Sequence, residues 1–153
     1  MTVAQPRPFP VLLVEDDEHD IRAISRVWEG LRPDHPLIVV QTAEECLAYL
    51  RREGIFADGI RHPWPGILLL DLELPGLKGL GLLRILKTAE RFRRLPVVVL
   101  TQHGTRENVR RAYDLGASSV VVKPTGVEPL REALARLVSF WEAASLPDPT
   151  DRA

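Results

Sequence analysis

The feature that most constrains this chain is a set of five short apolar runs without polar alternation: Val11 to Val14, Leu37 to Val40, Ile67 to Leu70, Val97 to Leu100 and Val120 to Val122. A strand with one face in water alternates apolar and polar residues. A strand covered on both faces reads as unbroken Val, Ile and Leu instead, and that is the habit of a parallel sheet between layers of helix. The longest runs are four residues, whereas a membrane-spanning helix needs about 20.

The intervening segments carry helical spacing. Ile21, Ile24, Trp28 and Leu31 recur every three or four residues, and Thr42 with Glu45 forms a capping-box pattern ahead of Cys46, Leu47 and Leu50. Leu80, Leu83, Ile85 and Leu86 mark a third helix, which must stop before Pro96. Thr105 caps a fourth that ends at Gly116, a residue suited to a left-handed C-terminal position. Val127, Leu130, Leu134, Leu137, Val138 and Trp141 mark a fifth, with Pro129 tolerated in its first turn; Phe140 and Trp141 are assigned to the core, with a dimer face as the lesser reading. Strand and helix alternate five times, which predicts a doubly wound α/β fold.

Composition narrows the function. Twenty basic and twenty-one acidic residues leave a net charge of −1, so no bulk attraction to nucleic acid or an anionic membrane is expected. The single cysteine, Cys46, excludes an intrachain disulfide and a cysteine-based zinc site. Residues Met1 to Pro10 lack an apolar signal region, and a cytoplasmic domain is the expectation. The stretch Glu53 to Gly66, with Gly54, Gly59, Pro63 and Pro65, reads as a long connection, either a surface elaboration or a partner contact. Residues 9–144 are expected as one domain, with 1–8 an extension and 145–153 a flexible tail; the 153 residues leave no length for an output module.

In a parallel α/β sheet the functional crevice lies at the C-terminal ends of the strands. Glu15, Asp16 and Asp17 follow the first run, Asp71 the third, Thr101 the fourth and Lys123 the fifth. Folding therefore gathers carboxylates, a hydroxyl and an ammonium at one edge. Carboxylates this close raise one another's pKa unless a cation intervenes, and an all-oxygen donor set suits a hard ion, Mg²⁺ above all. One carboxylate can attack phosphorus while metal and lysine neutralise the phosphoryl oxygens.

Val-Glu-Asp-Asp at 14–17, Leu-Leu-Leu-Asp-Leu-Glu-Leu-Pro at 68–75, Leu-Thr at 100–101 and Val-Lys-Pro at 122–124 together resemble the receiver domains of two-component response regulators. The resemblance implies a flavodoxin-like sheet of order 2-1-3-4-5 with five helices. It implies Asp71 as phosphoacceptor, and Mg²⁺ held by Glu15, Asp16, Asp71 and the backbone carbonyl of Glu73. Lys123 then pairs with the phosphoryl oxygens, Thr101 turns its hydroxyl inward, and the Lys123–Pro124 bond is cis. Val-Glu-Asp-Asp-Glu-His-Asp-Ile-Arg at 14–22 and the long connection before the third strand resemble the small receivers paired with cyanobacterial and bacterial phytochromes. That implies a histidine kinase as partner, with a bacterial phytochrome as the candidate, and a homodimer through the fourth and fifth helices.

Two departures from the family pattern bear on output. Lys78 stands where many receivers carry an aspartate, and Val120 replaces the usual switch aromatic three residues before Lys123. Such a domain is a switchable binding module, not an enzyme acting on external substrates. Two other readings compete: a haloacid-dehalogenase-like phosphohydrolase, whose acid-x-acid motif Asp71-Leu72-Glu73 mimics, and a pseudo-receiver that signals without phosphate. Asp17 reads as a helix cap only. Gly76, Gly79 and Gly81 read as turn glycines, since Arg84 breaks the dinucleotide fingerprint and no Gly-Lys-Ser/Thr follows. His19, His35, His62 and His103 share no metal-ligand spacing and read as solvated, and Arg91, Arg93 and Arg94 beside Phe92 read as a solvated helix end.

Overall fold

The computed structural model describes residues 8–31, 34–74 and 79–148. The strands are β1 (Val11–Val14), β2 (Leu37–Val40), β3 (Ile67–Asp71), β4 (Val97–Thr101) and β5 (Ser119–Val122). The helices are α1 (Glu18–Leu31), α2 (Ala43–Arg51), α3 (Gly79–Thr88), α4 (Arg106–Asp114) and α5 (Val127–Ala143). All strands are parallel in the order β2-β1-β3-β4-β5, the arrangement expected. The chain steps from β1 to β2, then returns past β1 to β3, so the order reverses between β1 and β3, where α/β sheets open a crevice.

Strand side chains alternate between two cores. Leu12, Val14, Leu68, Leu70, Val97 and Val99 pack with Cys46 and Leu50 of α2, Leu82, Leu83 and Leu86 of α3, and Ala112 of α4. Leu13, Leu69, Val98 and Leu100 pack with Ile24 and Trp28 of α1 and Leu134 and Val138 of α5. Continuous apolar runs are thus explained, because neither face of the central strands meets water. Burial pushes the Cys46 thiol up to about 12, leaving it a core residue and no nucleophile.

The caps are local chemistry. Thr42 Oγ1 accepts the Glu45 N–H at 3.0 Å, while Glu45 reaches back to the Gln41 N–H at 3.3 Å, one residue earlier than a capping box would have it. Thr105 Oγ1 accepts the Asn108 N–H at 3.2 Å, and Gly116, with φ of 104°, turns the chain after α4.

Several sequence expectations need correction. His35 is not solvated: it is 3% exposed, stacked on Phe9 with ring centroids 4.3 Å apart. Its Nδ1 accepts the Phe9 N–H at 3.0 Å, which puts the proton of the neutral ring on Nε2, facing Glu142 Oε1 at 3.0 Å. Its carbonyl accepts the Trp28 indole N–H at 2.7 Å. Phe140 is 64% exposed, because it lies off the Leu134–Leu137–Val138–Trp141 stripe of α5. Within Glu53 to Gly66, Tyr49 donates to the Pro63 carbonyl at 2.6 Å, and Tyr49, Phe56 and His62 cluster ring against ring. Trp64 stacks on Phe92, so the end of this connection is packed, while Ile55 and Ile60 are exposed, in keeping with a surface elaboration. Beyond α5, Leu146 packs against the core containing Phe9 and Trp28. Gly76 and Lys78 fall outside the described residues.

Candidate functional site

Each site residue is delivered by the end of a strand. The Glu15 N–H still pairs with the Val40 carbonyl at 3.1 Å, so Glu15 continues β1 and is fully buried. Asp16 follows at partial exposure, and Asp17 caps α1 by accepting the Asp20 N–H at 3.0 Å, the role read for it. Asp71 is the last residue of β3 and 3% exposed. Thr101 closes β4, fully buried. Lys123 follows β5, and its N–H donates to the Thr101 carbonyl at 2.8 Å.

These groups converge. Lys123 Nζ lies 2.6 Å from Glu15 Oε2, 3.0 Å from Asp20 Oδ2 and 3.6 Å from Asp71 Oδ2. Burial works against the ammonium, but Glu15, Asp20 and Asp71 outweigh it and push its pKa up. No cis peptide occurs among the described residues, so the Lys123–Pro124 bond is trans, against expectation. The lysine reaches the carboxylates from the lower-energy isomer.

Asp71 sits in the opposite predicament. Burial, then the adjacent Glu15 carboxyl, push its pKa up to about 8, although the Glu73 N–H at 3.0 Å and Lys123 favour its charge. One lysine does not balance this many acids. Oxygens of Glu15, Asp16 and Asp71 lie within 4.8 Å of one another, and this all-oxygen set fits a hard divalent cation. Gly79 fixes the floor: a Cβ there would stand 2.5 Å from the Asp71 carbonyl oxygen and from Leu72 Cα, so α3 can begin this close only on glycine.

Three residues of the site were not assigned these parts from sequence. Asp20, one helical turn after Asp16, contacts Lys123 and accepts from the Gln102 amide at 3.4 Å. The i, i+4 spacing of Asp16 and Asp20 was the available signal. Glu73, assigned only through its carbonyl, turns its carboxylate towards β4, where Oε1 accepts the Thr101 hydroxyl at 2.6 Å and the His103 N–H at 3.3 Å. Its Oε2 accepts the Gln102 N–H at 3.4 Å. Burial opposes this charge, but the Thr101 hydroxyl, the Asp71 carboxyl and the Gln102 and His103 N–H groups hold the Glu73 carboxyl below its usual range. Tyr113 of α4 meets the Val120 N–H at 3.2 Å, bringing an aromatic to the strand position that lacks one. His103, on the loop after Thr101, borders the site through its backbone N–H.

The profile of the response regulator receiver domain matches residues 11–135. The chain belongs to that family. The receiver is 32% identical to Response regulator Rcp1 of Synechocystis sp. over 141 residues, covering 92% of this chain and 94% of the relative. Among solved structures it resembles RPA3017, a response regulator in red light signalling of R. palustris, with TM-score 0.86 and 33% identity over 92% of this chain and 99% of the other. It resembles the phosphorylated cyanobacterial phytochrome response regulator RcpA with TM-score 0.84 and 31% identity over the same shares. Rcp1 has also been solved in a Mn²⁺-bound form, which superposes on this receiver with TM-score 0.82. Family membership sets the dehalogenase-like reading aside. Among the described residues no helix is long and apolar enough to cross a membrane.

Proposed function

We propose that residues 9–144 form a single-domain response regulator that accepts a phosphoryl group on Asp71 from a histidine kinase. The observation that carries this reading is the buried convergence of Asp71, Glu15 and Lys123 at three strand ends. An Asp71 carboxylate oxygen attacks phosphorus, the P–N bond to the kinase histidine breaks, and the imidazole leaves and takes up a proton. Glu15, Asp16, Asp71 and the Glu73 carbonyl would hold Mg²⁺ at this site. When bound, the ion supplies positive charge to the acceptor and to the equatorial phosphoryl oxygens. Lys123 orients and neutralises those oxygens from the other side, and Thr101 donates its hydroxyl to them.

Output is a change in partner binding or self-association. Likeness to RcpA and RPA3017 supports a phytochrome-type kinase as the source of phosphate. The exposed Tyr113, Val127 and Phe140 support a homodimer through α4 and α5. A cytoplasmic location goes with this reading, with neither nucleic acid nor membrane as ligand.

The test is intact mass after incubation with acetyl phosphate and Mg²⁺, beside Asp71→Asn. A Mg²⁺-dependent gain of one phosphoryl group in the wild type alone is the expected result. No gain with acetyl phosphate or with phosphorylated histidine kinases would make the chain a pseudo-receiver.

A further inference from the structure

Thr101 has one hydroxyl hydrogen, and it is already committed. It points to Glu73 Oε1 at 2.6 Å, the shortest of three bonds that the Glu73 carboxylate receives from the β4–α4 segment. The other two come from consecutive backbone N–H groups, Gln102 and His103. A hydroxyl and two amides converging on one anion make a cradle that suits phosphoryl oxygens as well as a carboxylate. Glu73 is two residues beyond Asp71, whose Oδ1 accepts the Glu73 N–H, so cradle and acceptor are held by the same turn.

We propose that Glu73 is a positioning residue which holds Thr101 and the 101–103 segment in the unphosphorylated arrangement and competes with the phosphoryl group for the Thr101 hydroxyl. The proposal rests on the receiver reading above. Phosphorylation must break the Thr101–Glu73 bond before Thr101 can donate to phosphate; release of the carboxylate then frees the Gln102 N–H, while the His103 N–H, which also meets Thr101 Oγ1 at 3.2 Å, moves with Thr101. In this chain the loop is moved by exchange of one anion for another, an arrangement that needs no aromatic at position 120.

Simple charge repulsion between Glu73 and the phosphoryl group would also disfavour the phosphorylated state, so the test separates the two. Beryllofluoride with Mg²⁺, a phosphoryl mimic, is titrated into the full chain by NMR for wild type, Glu73→Ala, Glu73→Gln, Thr101→Ala and the double variant Glu73→Ala/Thr101→Ala. Losing one charge-assisted bond as competitor tightens binding about tenfold in Glu73→Ala, with Glu73→Gln in between. With Thr101 absent there is no hydroxyl to compete for, and the same change is expected to matter less than about threefold. Without beryllofluoride, the Gln102 amide exchanges about tenfold faster in Glu73→Ala than in wild type, while the His103 amide, still held by Thr101 Oγ1, changes less. Equal fold-changes in both Thr101 backgrounds, or unaltered amide exchange, overturn the proposal and leave the receiver reading intact. A wild type that does not bind beryllofluoride at all overturns the receiver reading, and the competition with it.

Discussion

The two ends of the sheet bury polar groups in opposite ways. At the C-terminal ends of the strands, Lys123 faces Glu15, Asp20 and Asp71 together, and the acids outnumber the cation. At the N-terminal ends, each His35 group has its own partner: Nδ1 with the Phe9 N–H, Nε2 with Glu142, the carbonyl with the Trp28 indole, and the ring face with Phe9. One end holds charge in conflict, and the conflict is what a cation can relieve. The His35 network pairs each of its polar groups and ties the segments before β1 and β2 to α1 and α5. A buried network that is fully answered rigidifies; one left unbalanced is a site.

The sharpest way to break this comparison is Lys123→Met. Without its ammonium, Glu15, Asp20 and Asp71 are left facing one another, and the unfolding free energy at neutral pH in chelator is expected to fall by about 3–5 kcal/mol, with phosphorylation lost. Part of that stability returns on acidification or with Mg²⁺. A loss below about 1 kcal/mol would mean that further protons taken up by the acids replace the ammonium, and the two ends would then differ less than the geometry implies.

His35→Ala removes the answered network. Denaturant unfolding is expected to show a loss of about 1–3 kcal/mol, with the rate of phosphorylation by acetyl phosphate unchanged. A changed rate would show that the two ends are coupled through the sheet.

The smallest effect belongs to Tyr49, which lies in neither network. Burial pushes its hydroxyl up from 10.0 to about 12, although Arg52 pulls the other way. Ionisation is therefore harder in the folded chain than in the unfolded one. Its contribution is intact below pH 10 and is lost as pH rises from 10.0 to about 12. Tyr49→Phe is expected to cost about 1 kcal/mol at neutral pH through the lost Pro63 bond and to flatten that alkaline decline in a pH series of melting curves.

Strand positions, helix starts at Thr42 and Thr105, the turn at Gly116 and the convergence of Glu15, Asp71, Thr101 and Lys123 were legible in the sequence. Each depends on local pattern or on one topological rule about strand ends. His35 was misread because a lone histidine carries no periodic signal, and its partners Phe9 and Glu142 lie 26 and 107 residues away. Phe140 was misread because one residue along a helix is about 100° of rotation, enough to pass from core to water. Glu73 was placed at the site through its carbonyl, but the direction of its side chain depends on the loop after Thr101, 28 residues later.

Layers, element order and the residue types that meet at the sheet's edge follow from the amino-acid order alone, since hydrophobic period and strand-end chemistry are properties of short segments. Only the tertiary structure decided which acid faces Lys123, where the Thr101 hydrogen goes and which histidine is buried. Those outcomes are set by contacts a few ångströms long between residues distant in the chain, and no local pattern encodes a distance.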